Sequence, residues 1–192
     1  MKKLLFYAMF FIAASVSAQK VVNFSLKSDG TFVSDEGNNY IIVEYEGKTQ
    51  QELFNLVKAN VLTLYNNPQR VLNEIEPSNI TIRATSDVLW SGMRLVGGFQ
   101  EYRAKYNYVF QFKDGKIRVN APLIDRQLVV TGMGNVIPRT FVSLIDGYFD
   151  KNGEVKKNKQ KDVSKIEILF NYPINYMLGN LNEAPTENNE DW

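Results

Sequence analysis

The side chains able to move protons in this chain reduce to carboxylates, hydroxyls and amines, because it contains neither histidine nor cysteine. A Ser-His-Asp triad, a Cys-His nucleophile and a His- or Cys-ligated zinc site are thereby excluded. Carboxylate pairs remain, the device of glycoside hydrolysis. Glu76, Glu101, Asp125, Asp146 and Asp150 are candidates by type, but nothing in their spacing selects a pair, and each also reads as a solvated or turn residue. The S-x-x-K match Ser17 to Lys20 straddles an expected cleavage point. The "GMG" at 132–134 lacks the third glycine and the strand-to-helix setting of a dinucleotide loop. In "DKNGE" (150–154), Gly153 is fourth and Lys161 twelfth counted from Asp150. A calcium loop needs glycine sixth and glutamate twelfth, so a polar turn is the better reading. The sequence therefore assigns no catalytic residue, no cofactor and no metal.

For binding rather than catalysis, "DVLWSGMRLVGG" (87–98) is the least conventional stretch. It sets Trp90, Met93 and Arg94 beside glycines on what reads as a connection between strands. A large aromatic, a soft side chain and a cation on a loop can form a binding lip. The competing expectation is that Trp90 and Met93 cover an open end of the core.

The adjoining segment, "FQEYRAKYNYVFQFKDGKIRV" (99–119), interleaves aromatics with Arg and Lys. Tyr102, Ala104, Tyr106, Tyr108, Phe110 and Phe112 share one parity; Glu101, Arg103, Lys105, Asn107, Gln111 and Lys113 share the other. That is period two, a strand buried on one side. Asp114-Gly115 reads as a two-residue turn that pairs Lys113 with Lys116, Phe112 with Ile117, Phe110 with Val119, Tyr108 with Ala121 and Tyr106 with Leu123. A nucleic-acid platform needs aromatics and cations on the same face, so no nucleic-acid partner is expected.

These segments need elements to hold them. Asp29-Gly30 signals a hairpin, and Tyr40 to Tyr45 a strand. "TQQE" (49–52) is a capping box opening an amphipathic helix over about 50–65, which Pro68 stops. "RVLNEIE" (70–76), "NITIRATSDVLW" (79–90), the 99–113 segment and "KIRVNAPLIDRQLVV" (116–130) read as successive strands. Residues 131–140 read as a loop, and 141–155 as an extended piece or an irregular connection. Asp162 can cap a second helix over about 163–181, with Ile166, Leu169, Phe170, Ile174, Leu178 and Leu181 as its stripe and Pro173 expected to kink or split it. Residues 182–192 read as a disordered acidic tail.

The first residues set the compartment. Lys2 and Lys3, an apolar run from Leu4 to Ala14, and Val16 and Ala18 before Gln19 read as a signal peptide spanning residues 1–18. The run falls short of the roughly 20 residues a bilayer span requires. Without cysteine the product is neither a lipoprotein nor disulfide-stapled. Export by the general secretory route to the periplasm or beyond is expected, with residues 19–181 as a single α+β domain. Removing Lys2 and Lys3 leaves 20 basic against 21 acidic residues, a net charge of −1.

The order of these elements, with "YEGKTQQELF" (45–54), "YVFQFKDGKIRV" (108–119) and "FDKNGEVKK" (149–157), resembles small exported bacterial proteins carrying a domain of unknown function with a TATA-binding-protein-like fold. The resemblance covers about residues 22–181. It implies a mainly antiparallel twisted sheet with both helices packed on one face. That family has no established activity, so no functional residue is carried over, and fold does not confer function. The expected role is non-enzymatic binding of a small ligand or envelope protein. The alternatives are a carboxylate-dependent hydrolase acting on cell-wall or dietary glycans, and a structural subunit of an envelope assembly.

Overall fold

In a computed structural model, residues 21–94 and 98–181 are described. The signal-peptide and acidic-tail expectations lie outside them, as does the side chain of Arg94. Near the N-terminus, strands β1 (Ser25–Leu26) and β2 (Phe32–Val33) form the expected hairpin. Asp29 Oδ1 accepts from the Thr31 amide at 2.9 Å and the Thr31 hydroxyl at 2.6 Å, while Gly30 takes φ +82°. Strand β3 (Tyr40–Glu44) follows.

Helix α1 (Gln50–Leu64) opens on the capping box: the Thr49 amide donates to Glu52 Oε2 at 2.8 Å, and the Glu52 amide donates to Thr49 Oγ1 at 3.3 Å. Pro68 does exclude helix from Asn67 (φ −136°, ψ 64°), yet it starts a further turn, α2 (Pro68–Val71). The strand expected from Arg70 therefore begins at β4 (Leu72–Ile75). Proline suits a first helical turn, where its missing N–H has no partner to lose.

The stretch read as one strand over 79–90 is broken into β5 (Asn79–Thr85) and β6 (Trp90–Arg94). Buried Ser86 makes the break: its Oγ accepts from the Ala104 amide at 2.9 Å and donates to Asp87 O at 2.8 Å. Strand β7 (Gly98–Lys113) is 16 residues long, enough for two strands to share each of its edges. Strands β5 and β6 line one edge; β8 (Lys116–Asn120) and β9 (Leu123–Thr131) line the other. Outside these lie β4, β3 and β10 (Val136–Arg139), and every pairing is antiparallel.

The Asp114-Gly115 hairpin has the expected register for Lys113–Lys116, Phe112–Ile117 and Phe110–Val119. The two pairs farther out differ. Tyr108 has no partner on that edge, and Tyr106 meets Ile124 rather than Leu123. Pro122 has no N–H for the ladder, and the Ala121 amide is drawn to Asn39 O at 2.9 Å, so pairing resumes one residue later in β9. Residues 131–140 are not the continuous loop that the sequence suggests: their second half is β10, in which Pro138 sits on an open edge where no donor is required. Residues 141–155 form the irregular connection, with a single turn α3 (Val142–Ile145) and a bridge between Phe149 and Val155.

Both long helices lie on the aromatic face of β7. Ala104, Tyr106, Tyr108, Phe110 and Phe112 are buried. Phe112 packs edge-on to Phe54 of α1 at 5.5 Å, and Tyr106 edge-on to Phe170 at 5.4 Å. Phe170 belongs to α4 (Gln160–Met177), which starts three residues earlier and ends four earlier than the stripe suggested. Lys159, not Asp162, is its N-cap. Asp162 lies in the first turn, accepts from Lys159 Nζ at 3.0 Å and complements the helix dipole there. The helix also runs unbroken through Pro173. Phe170 and Ile174 are core on either side of it, and Asn171 and Asn175 are tied to the N-terminal segment, so both flanking turns are held by tertiary contacts.

That tie is periodic. Glu167, Asn171 and Asn175 stand four apart on α4; the amides of Leu26, Phe24 and Val22, two apart, donate to them at 2.8, 2.9 and 2.8 Å. Four helical residues rise ~6 Å and two extended residues span ~6.6 Å, so the two spacings match.

Candidate functional site

Trp90 and Tyr102 are cross-strand partners on the helix-facing side of the sheet, their rings edge-on at 5.0 Å and 84°. The Trp90 indole folds back along its own strand over Gly92. A Cβ there would stand 2.7 Å from Trp90 Cζ2 and Cη2. Tyr102 on one side and a bare backbone on the other thus fix a half-buried indole at the sheet's end.

Opposite it, α4 supplies Asp162, Lys165, Ile166 and Leu169, and Tyr148 closes one end. The result is a cleft of about 490 Å³ whose walls are apolar at Leu89, Trp90, Ile166 and Leu169. Its charges are unequal in commitment. Asp162 is engaged by Lys159, whose Nζ also lies 4.9 Å from the Tyr148 ring centroid. The hydrogen bond to Asp162 raises the Lys159 pKa. Lys165 forms no ion pair among the described residues and is exposed at the rim. The cleft therefore offers an aromatic wall, aliphatic walls and one uncommitted cation, which suits an apolar body carrying an anionic group.

The sequence-predicted lip is only partly assembled. Trp90, Met93 and Arg94 lie on strand β6, not on a connection. Trp90 lines the cleft. Met93 pairs with Phe99 on the opposite face of the sheet and is 76% exposed, so it does not reach the cleft. The Arg94 backbone pairs with Gly98. The residues the sequence did not bring together are Tyr148 and the α4 set. Leu169 was visible as part of the helical stripe, but no spacing linked it or Lys165 to Trp90.

The five candidate carboxylates are dispersed. Glu76 accepts from Gln51 Nε2 at 2.9 Å, Glu101 from Arg103 at 3.1 Å and Asp125 from Arg126 at 2.8 Å. Asp150 Oδ1 caps its own turn through the Asn152 and Glu154 amides, and Asp146 is exposed at the end of α3. None of the five shares a hydrogen bond with another among the described residues. No group of three or more His, Cys, Asp or Glu able to hold a metal occurs among them either.

A tyrosine cluster lies under the sheet. Tyr65 and Tyr106 hydroxyls are 3.2 Å apart, the Tyr106 and Tyr108 rings 4.7 Å apart, and Tyr108 Oη donates to Phe170 O at 3.0 Å. Burial raises all three phenol pKa values. No nucleophile is activated there; the cluster is a packed hydrogen-bonded core.

No protein-family model and no curated protein matches the sequence. Among solved structures, the chain is similar to a TBP-like protein from Parabacteroides distasonis, with 14% identity and a TM-score of 0.46 over 73% of this chain and 86% of that one. It is also similar to a DUF4468 family protein from Bacteroides ovatus, with 12% identity and a TM-score of 0.49 over 88% and 95% of the two chains. The α+β architecture itself, a large antiparallel sheet with helices on one face, stands on the register and packing of this chain.

Proposed function

We propose that this protein is an exported, non-enzymatic binding module that takes a ligand in the cleft between β6 and α4. The observation that carries the reading is Trp90, held half-buried by Tyr102 and Gly92 and facing Lys165 across that cleft. Export is supported by the Lys2-Lys3 start, the short apolar run and the small residues ending at Ala18. No described helix is long and apolar enough to cross a membrane.

The ligand class follows from the lining. Leu89, Ile166 and Leu169 offer contact to an apolar body, the indole can stack on it, and Lys165 can pair its anionic end. The dye 8-anilinonaphthalene-1-sulfonate has that chemistry and serves as the probe. Calorimetric titration of the native chain from Gln19 is expected to show dye binding weakened at least tenfold by Trp90→Ala and by Lys165→Glu. Met93→Ser, on the other face, is expected to leave it unchanged. Dye binding indifferent to both cleft variants, with their melting temperatures intact, rejects the site. N-terminal sequencing of the exported protein tests the other half, with Gln19 expected first.

A further inference from the structure

The face of the sheet that carries no helix is cationic. Cα partners share a face, so the register puts Arg83 of β5, Arg103 and Lys105 of β7, Arg118 of β8 and Arg126 of β9 on it together. The like-charged Lys113–Lys116 pair adds to them at the turn. Three carboxylates share that face by register and sequence: Glu101, tied to Arg103 at 3.1 Å; Asp125, tied to Arg126 at 2.8 Å; and Glu44, opposite Lys116. Lys105 and Arg126 are direct cross-strand partners, and Asp125 offsets only the Arg126 charge, so Lys105 keeps a like-charged neighbour without an ion pair of its own among the described residues. The chain expected after cleavage is nearly neutral overall, so the charge is segregated onto this face.

The same face also carries exposed apolar side chains. Ile42, Ile75, Met93, Phe99, Leu123 and Val136 all lie on it by register, opposite Arg118, Asn79, Phe99, Met93, Asn107 and Val130 in turn. All six are large hydrophobics in the exposed class. Met93, Phe99 and Val136 gather at one end, beside half-buried Leu128 and Val130.

We propose that this sheet face docks on the surface of an anionic lipid bilayer. Cations draw the face to lipid phosphates, and apolar side chains standing among them enter the boundary between headgroups and acyl chains. Charge complementarity selects this occupant. A second copy would bring like-charged faces together. A soluble polyanion would use the cations but leave the six apolar side chains in water.

The test is co-sedimentation of the chain from Gln19 with phosphatidylcholine vesicles containing or lacking about one-third phosphatidylglycerol, a composition that mimics an anionic leaflet. The expected result is binding to the anionic vesicles at least tenfold tighter than to neutral ones, released by high salt. Lys105→Glu/Arg126→Glu should abolish it, and Met93→Ser/Phe99→Ser should weaken it several-fold, with melting temperatures retained. Trp90→Ala should not change it, so failure here is distinct from failure of the cleft. Absence of binding to anionic vesicles, equal binding to neutral ones, or binding indifferent to the Met93/Phe99 substitutions while heparin binds as tightly, each overturns the proposal.

Discussion

Asn175 and Val22 exchange two hydrogen bonds: the Val22 amide donates to Asn175 Oδ1 at 2.8 Å, and Asn175 Nδ2 donates to Val22 O at 2.7 Å. Asn171 does the same for Phe24, at 2.9 and 2.8 Å. The helix thus behaves as a neighbouring strand for the N-terminal segment. Replacing Asn175 by the near-isosteric Leu leaves a buried amide and carbonyl unpaired, each costing ~1–3 kcal/mol. Asn175→Leu is expected to lose about 2–4 kcal/mol in urea unfolding. A loss below about 1 kcal/mol contradicts the role assigned to the ladder.

The aromatic side of β7 is core and its basic side is not. Phe110 is fully buried and Lys105 exposed. Phe110→Ala is expected to cost ~3–5 kcal/mol, and Lys105→Ala no more than about 0.5 kcal/mol. Denaturant midpoints of the two variants check the contrast directly.

Alkaline pH should act on the tyrosine cluster. Burial raises the pKa of Tyr65, Tyr106 and Tyr108 in the fold, whereas unfolded tyrosine titrates near ~10. Above that pH the unfolded chain holds fewer protons than the folded one, so stability falls as pH rises. Their contribution is complete below about pH 10 and declines above it by up to ~1.4 kcal/mol per pH unit for each phenol. Tyr108→Phe also forfeits the bond to Phe170 O. It should be less stable at pH 8 yet show a shallower decline above about pH 10. Urea titrations across that range supply the slopes.

Gly92 is required by its neighbour rather than by its own backbone. A methyl group there meets the far edge of the Trp90 indole at 2.7 Å. Gly92→Ala should swing the indole off its seat, shift Trp90 emission to longer wavelength in a Trp192→Phe background and weaken dye binding at least tenfold. An unchanged emission maximum counts against the assigned seat.

What the sequence made legible was local and periodic. The Thr49–Glu52 box needs four adjacent residues, and the Phe112–Ile117 register needs a turn and a parity. Strand β10 was hidden because Pro138 argues against a strand unless the edge is open, and openness is a property of the sheet. Strand β6 was hidden because Gly92 and Met93 resemble a connection until Trp90 is seen lying over the glycine. Asn171 and Asn175 lie outside the apolar stripe of the helix and carry no local signal, because their partners are 147 and 153 residues away. The cleft was half legible for the same reason. Trp90 stood out by type, but Lys165 and Tyr148 reach it only through the packing of α4 on the sheet.

Energy transfer from Trp90 to bound 8-anilinonaphthalene-1-sulfonate, in a Trp192→Phe chain where Trp90 is the remaining tryptophan, reports whether the cleft between β6 and α4 holds the ligand. Saturable quenching of Trp90 is expected at one dye per chain, lost on Lys165→Glu and retained on Met93→Ser. Dye binding that leaves Trp90 emission unquenched contradicts it, because a ligand in the cleft would lie against that indole.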